Sequence, residues 1–116
     1  MGAWVPSIVG LDWDADDDPE GNAQHIARHN VTPAEVREVL EGAPDFLPVD
    51  TEGPNPCYVA VGFTAGGRLL EVWGIHFQGP PLAGFWHTIT AMDARPAHRN
   101  RYLGERGARR KGDRSR

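Results

Sequence analysis

Apolar residues recur at helical spacing in the first half of the chain and alternate with polar residues in the second half. The helical pattern lies between residues 22 and 42 and predicts two short helices joined by a tight turn. Thr32 occupies a helix N-cap position, Pro33 the first helical position and Glu35 the capping-box position. The apolar stripe that follows this start signal consists of Val36, Val39 and Leu40.

The boundaries of the helix pair carry signals of their own. Val31 before the cap and Val36 after it fit a hydrophobic staple. Asn30 is placed to end the first helix in a left-handed conformation, and Gly42 and Pro44 to end the second. We therefore expect this helix–turn–helix pair to organise the domain.

The second half of the chain predicts strands. Alternating apolar residues over 57–64 and 68–77 flank Ala65-Gly66-Gly67, a hairpin turn signal. Further strands are predicted at 8–14, 45–49 and 85–91, and a last helix at 96–106. The order predicts an α+β fold, with an N-terminal strand, two helices, an antiparallel meander sheet of three to four strands, and a C-terminal helix.

Composition narrows the class of protein. The chain has 116 residues, 40% of them hydrophobic, which suits one globular domain, assigned here to residues 1–106. Cys57 is the single cysteine, so no internal disulfide can form. No apolar run reaches the ~18 residues of a membrane helix, and no charged-then-apolar leader is recognisable. We expect a cytoplasmic protein without a membrane partner.

Charge is unevenly distributed along the chain. Before Arg95 there are 14 acidic and three basic residues, and from Arg95 onward there are nine basic and two acidic residues. A basic segment attracts nucleic acid phosphates, whereas an acidic body repels them. Residues 107–116 are predicted to be a disordered, solvated basic tail.

Three segments together resemble the BrnT-like toxin family. They are L-D-W-D near the start, H-I-A-R-H-N-V-T-P-A-E-V-R-E-V-L in the helix pair, and I-T-A-M-D-A-R-P-A-H-R-N-R-Y near the end. The resemblance implies a RelE-like fold and a bacterial type II toxin that cleaves RNA without metal or cofactor. It also implies a partner antitoxin that represses the shared promoter, in a homodimer or a toxin–antitoxin hetero-oligomer.

The last segment departs from the family pattern at three positions. Met92 stands where an arginine is expected, Arg95 replaces a capping threonine, and His98 replaces a glutamate. Arginine cannot accept hydrogen bonds at a helix N-cap, so we expect Asp93 to compensate from outside the helix. Without the arginine at 92, the chain is either a ribonuclease or a non-catalytic BrnT-like module that binds a protein.

The site residues that the resemblance and the spacing single out are mostly cationic. The candidates for catalysis are His29, Arg68, Arg99 and Tyr102, and the candidates for RNA binding are Arg95 and Arg106. Arginines stabilise charge on phosphate, and histidine or tyrosine moves protons. The alternatives are that His29 holds the helix turn, that Arg68 merely flanks the hairpin, and that Tyr102 packs on the sheet.

The other histidines suggest weaker possibilities. His25 and His29 share a helix face and form either a metal pair or an acid–base pair, but no motif supplies the remaining ligands, so no metal site is assigned. His76 and His87 lie on neighbouring predicted strands, where they could form a base–acid pair. Trp13, Trp73, Trp86 and Cys57 are interpreted as packing residues.

Overall fold

The computed structural model describes residues 6–100, and its secondary structure follows the predicted order. The elements are β1 (Gly10–Asp12), α1 (Asn22–Ala27), α2 (Pro33–Glu41), β2 (Asp45–Asp50), β3 (Cys57–Phe63), β4 (Leu69–His76) and β5 (Phe85–Asp93). Residues 96–100 are helical and are called α3. The α+β class is thereby confirmed, while residues 101–106 of the predicted last helix and the tail 107–116 lie outside the described residues.

The five strands form one mixed sheet in the order β1-β5-β4-β3-β2. Strands β2 to β5 are an antiparallel meander, as predicted. β1 is shorter than expected and pairs in parallel with β5, so that the two ends of the fold meet at one sheet edge. The parallel pairing follows from the path of the chain, which returns to β1 only after both helices and three further strands.

The start of α2 is built as the sequence predicts. The Thr32 hydroxyl accepts from the Glu35 backbone N–H at 3.1 Å, and the Glu35 carboxylate accepts from the Thr32 N–H at 3.1 Å. Val31 and Val36 are both buried, and Asn30 has a φ of 60°. The capping box, the buried valines and the left-handed asparagine are therefore confirmed.

Helix α2 ends where the sequence predicts, with Glu41 as its last residue and Gly42 as its C-cap. Gly42 has a φ of −88°, and the left-handed residue is Ala43, with a φ of 57°. Gly42 instead approaches the helix closely, since a Cβ there would lie 3.0 Å from the Glu38 carbonyl oxygen. The left-handed residue therefore follows the C-cap and directly precedes Pro44.

The sheet has apolar residues on both faces. On the face that packs against α1 and α2, here called the helix face, the core is centred on fully buried Trp86. Trp86 lies across Gly74 of β4, where an added Cβ would be 2.3 Å from the indole ring. The opposite face, here called the outer face, carries a smaller cluster formed by Val59, Val61, Leu69 and Ala94.

In the part of the chain that the structure describes, no helix has the length and apolar character required to cross a membrane.

Candidate functional site

A buried glutamate on the outer face collects three hydrogen bonds at the start of α3. Glu71 of β4 is fully buried and lies between two residues, Leu70 and Val72, that point to the helix face. Its carboxylate accepts from the Trp73 indole N–H at 2.8 Å and from the Arg95 backbone N–H at 2.8 Å. It also accepts from Arg95 Nε at 3.0 Å. Both carboxylate oxygens therefore have hydrogen-bond donors despite complete burial.

Arg95 is held by this carboxylate but remains half-exposed. Its side chain is 55% exposed, and its guanidinium carbon lies 5.4 Å from the centroid of the Trp73 ring. Only Nε contacts Glu71, and the two terminal nitrogens have no hydrogen-bond acceptor within residues 6–100. The guanidinium is thus fixed along one edge and presents its other edge to solvent.

The same contact corrects one prediction about the start of α3. The sequence predicts that Asp93 compensates for the missing cap, but the Asp93 carboxylate pairs with Arg68 at 2.7 Å. Glu71 of the neighbouring strand supplies the negative charge instead, through the Arg95 backbone N–H. Antiparallel pairing brings the start of β4 to the end of β5, a proximity that sequence spacing does not reveal.

Register places Met92 beside the same glutamate. Met92 of β5 is the direct partner of Glu71 in the β4–β5 ladder. An arginine at position 92 would therefore lie beside the buried Glu71 carboxylate. Arg95, three residues later in the sequence, contacts the same carboxylate with its guanidinium. In this chain, the guanidinium that contacts Glu71 is that of Arg95.

Arg68 lies elsewhere, with every nitrogen of its guanidinium engaged. Nε donates to Asp93, Nη1 donates to the Asn30 carbonyl at 2.6 Å and approaches Glu35 at 3.3 Å, and Nη2 donates to the His29 carbonyl at 3.2 Å. The hydrogen bond to Asp93 raises the pKa of the guanidinium above its ordinary value. The structure therefore joins Arg68 to the helix turn rather than to Arg95, and its catalytic role stays a prediction.

The histidine pair of α1 lies at the helix turn. The His25 and His29 rings are 5.5 Å apart and edge-on, and His25 Nε2 is 3.0 Å from the Thr90 hydroxyl. Arg68 contacts His29 only through the backbone carbonyl, a contact that does not depend on the histidine side chain. Across residues 6–100, no group of three His, Cys, Asp or Glu side chains is arranged to hold a metal ion. The catalytic role of His29 stays a prediction.

His76 and His87 do not form the base–acid pair that their neighbouring strands suggest. His76 pairs with Trp86, whereas His87 pairs with Ile75, so the one-residue offset sends the two rings to opposite faces. His76 is buried and contacts the Ser7 carbonyl and the Gln78 amide. His87 lies on the outer face with its Nδ1 at 2.9 Å from Asp12 of β1.

The remaining candidates lie at or beyond the end of the described residues. Arg99 is exposed on α3, and its side chain makes no ion pair within residues 6–100. Tyr102 and Arg106 lie outside the described residues, so the predicted face of α3 that they would share with Arg99 stays a prediction.

Two other residues interpreted as packing differ in burial. Trp86 is buried as expected, but Cys57 is only half-buried at the start of β3. Burial, and secondarily the charge of Asp50, raises the pKa of the Cys57 thiol. The thiol is therefore held in its protonated, less reactive form.

Sequence reasoning missed Glu71, Trp73 and Asp12 as members of a site. The signal for Glu71 was present, since an acid in the middle of an alternating apolar strand must find donors if it is buried. The partner of Asp12 is 75 residues away and becomes visible only through the β1–β5 pairing.

No protein-family model, curated protein or solved structure matches the chain. The family resemblance rests on the three sequence motifs near the start, in the helix pair and near the end of the chain.

Proposed function

We propose that the chain is a BrnT-like ribonuclease toxin that cleaves RNA without a metal ion and is neutralised by a partner antitoxin. The observation that carries the proposal is the guanidinium of Arg95, fixed by buried Glu71 and open to solvent along its other edge. The order of the three family-like motifs along the sequence is the independent support, since the last of these motifs contains Arg95.

The chemistry of RNA cleavage explains why a held arginine matters. Negative charge grows on the phosphate oxygens in the transition state, and a cation already in place stabilises that charge without reorganising. A guanidinium can offer two parallel N–H donors to two phosphate oxygens. Glu71 orients Arg95 for this role, and the adjacent Trp73 ring restricts the guanidinium further.

Two parts of the chain are expected to act differently on RNA, one by positioning a phosphate and the other by long-range attraction. Glu71 offsets much of the charge of Arg95, so this site positions a phosphate more than it attracts one from a distance. Long-range attraction then falls to the basic residues from Arg99 onward, which outnumber the acidic ones.

Purified protein incubated with single-stranded RNA tests the proposal. We expect wild-type protein to cleave RNA in the presence of a chelator, and Arg95→Ala to lose about 100-fold or more in rate. Arg37→Ala, which removes an exposed arginine of α2 on the other side of the sheet, is the matched control and should retain activity. Intact RNA with folded wild-type protein would overturn the proposal.

The position of Met92 gives a second arm of the same experiment. Met92→Arg should compete with Arg95 for Glu71 and so change the cleavage rate. If only the Met92→Arg protein cleaves RNA, the native chain is not an enzyme.

A second candidate function is a non-catalytic module that binds a protein. It is favoured by Arg68, whose three guanidinium nitrogens are all occupied within the protein. The acidic excess before Arg95 would suit a basic partner. Capture of one stoichiometric partner from the native host, together with absence of RNA cleavage by the free protein, would favour this candidate.

A further inference from the structure

We infer that His87, oriented by Asp12, is the group that removes the 2′-hydroxyl proton during RNA cleavage. This inference rests on the proposed ribonuclease function and adds a catalytic residue that the sequence motifs do not indicate. It depends on the geometry of the His87–Asp12 pair and on its position relative to Arg95.

The pair has the geometry of an oriented general base. His87 Nδ1 is 2.9 Å from Asp12 Oδ2, and the two side chains are 24% and 31% exposed. A carboxylate at Nδ1 favours the tautomer in which Nδ1 carries the proton and Nε2 is an acceptor. Within residues 6–100 the His87 ring makes no other hydrogen bond, so Nε2 is available for a substrate.

His87 and Arg95 belong to the same face of the sheet. His87 is the β-ladder partner of Ile75, and Trp73, over which Arg95 lies, is two residues from Ile75 on the same strand. Two residues along a strand span about 7 Å and return to the same face. The base, His87, thus lies beside Ile75, and the cation, Arg95, lies over Trp73. The two groups flank neighbouring outer-face positions of β4.

The elements around His87 leave Asp12 as the charged group in contact with it. β1 contributes Asp12, β4 contributes Ile75, and the residue after β4 contributes Phe77, whose ring centroid is 6.2 Å from that of His87. Cys57 of β3 lies in the same row, on the far side of Ile75. Within residues 6–100, Asp12 is therefore the charged side chain that orients the His87 ring.

The reaction balances with water as the only other proton carrier. Neutral His87 Nε2 takes the proton of the 2′-hydroxyl while the 2′-oxygen forms a bond to phosphorus. The bond from phosphorus to the 5′-oxygen breaks, and the 5′-oxygen takes a proton from water. The products are a 2′,3′-cyclic phosphate and a 5′-hydroxyl, and His87 returns its proton to solvent.

The pair could instead serve only to hold β1 at the sheet edge, so the test needs measurements that a structural role would not change. We expect His87→Ala to reduce the single-turnover rate by about 100-fold or more, with little change in RNA affinity. The pH–rate profile should lose the acidic limb that a histidine base is expected to give the wild-type protein, and added imidazole should restore part of the rate. His87→Gln, which can still donate to Asp12, should be equally slow while retaining the wild-type melting temperature.

Asp12→Asn is the test of the positioning residue. It should reduce the single-turnover rate less than His87→Ala does, with little change in RNA affinity, because the imidazole remains but loses the carboxylate that orients it. The matched control is Arg37→Ala, whose pH profile should coincide with that of wild type.

The outcomes separate the inference from the proposed function. Active wild-type protein, with His87→Ala and His87→Gln equally active and unchanged in pH profile, would overturn the role of His87 and leave the ribonuclease proposal standing. Wild-type protein that does not cleave RNA at any pH would overturn both.

Discussion

At the scale of the single residue, Arg68 shows how one side chain connects parts of the chain that are distant in sequence. It directly precedes β4, contacts the carbonyls of the α1–α2 turn, and pairs with the end of β5. A cation that satisfies two helix-end carbonyls and two carboxylates stabilises the fold in a way that a solvated surface arginine does not.

Replacement of Arg68 should therefore destabilise the protein. We expect Arg68→Ala to lower the free energy of unfolding by about 2 kcal/mol, because several charge-assisted hydrogen bonds are removed together. Arg68→Lys should recover only part of this, since an ammonium cannot span the same acceptors. Urea denaturation measures the change, and Arg37→Ala should stay within about 0.5 kcal/mol of wild type. Equal stability of Arg68→Ala and wild type would contradict the assigned role.

A second prediction at this scale concerns the reactivity of Cys57. Its pKa is raised by burial and by Asp50, so the thiolate fraction at neutral pH is small. Iodoacetamide should alkylate it several-fold more slowly than it alkylates a free thiol near neutral pH. Asp50→Asn should accelerate the reaction, because the residue paired with Cys57 no longer carries a negative charge.

The raised pKa of Cys57 should also make the stability of the protein fall at alkaline pH. The folded chain holds the Cys57 proton more tightly than the unfolded chain does, so this contribution is present at low pH. It is lost as the pH rises above roughly 8.5, the ordinary pKa of a thiol. Cys57→Ala should lack this part of the alkaline destabilisation.

At the scale of the element, the end of α2 is the place where local preference and observed backbone disagree. Ala43 takes a left-handed conformation that costs an alanine about 1 kcal/mol, although Gly42 precedes it directly. Gly42 itself serves a different purpose, because its lack of a Cβ allows the close approach to the Glu38 carbonyl oxygen.

Ala43→Gly should therefore raise the free energy of unfolding by up to about 1 kcal/mol. The control is the same change in the first turn of α2, Ala34→Gly, which should lower it by up to about 0.5 kcal/mol because residue 34 is already helical. Thermal and urea denaturation of both variants check the signs. Destabilisation of both variants by similar amounts would show that residue 43 is not strained.

The contact between β4 and β5 offers a second test at this scale. Gly74 leaves the space that the Trp86 ring fills, so Gly74→Ala should cost about 1 to 3 kcal/mol through overpacking. Gly53, in the loop before β3, has no neighbour within 4 Å of an added Cβ, so Gly53→Ala should have little effect. A Gly74→Ala protein as stable as wild type would contradict the observed packing.

At the scale of the whole molecule, one face of the sheet packs against the helices and the other face carries the polar and charged side chains of the candidate site. The helix face buries the larger core, while the outer face carries Glu71, Trp73, His87 and the start of α3. Chain topology brings residues from distant parts of the sequence to the outer face, because β5 lies between β1 and β4 in the sheet.

The charge asymmetry yields a prediction at this scale. A protein lacking residues 107–116, which contain five basic residues and one acidic residue, should bind single-stranded RNA more weakly and with a shallower salt dependence. The slope of log K against log salt should become shallower by about 0.7 for every phosphate that the shortened protein no longer neutralises. Fluorescence anisotropy over a range of salt concentrations measures the slope, and identical slopes for both proteins would remove the basic tail from RNA binding.

Much of the fold could be predicted from local patterns, and so could Arg95 as a candidate site residue, but the partners that hold the site residues could not. The capping box at Thr32, the left-handed Asn30 and the alternating strands depend on residues near each other in sequence, so capping signals and periodicity predicted them. The position of β1 and the opposite orientations of His76 and His87 depend on register, which local patterns do not encode.

The sequence alone determined the class of fold, the order of the elements and the segregation of charge, because propensity, capping and periodicity act over a few residues. The tertiary structure alone decided which partners the charged residues have. It joined Arg95 to Glu71 and His87 to Asp12 through strand pairing between distant segments. A buried carboxylate requires donors wherever the fold can bring them, and that requirement is met only after the sheet has formed.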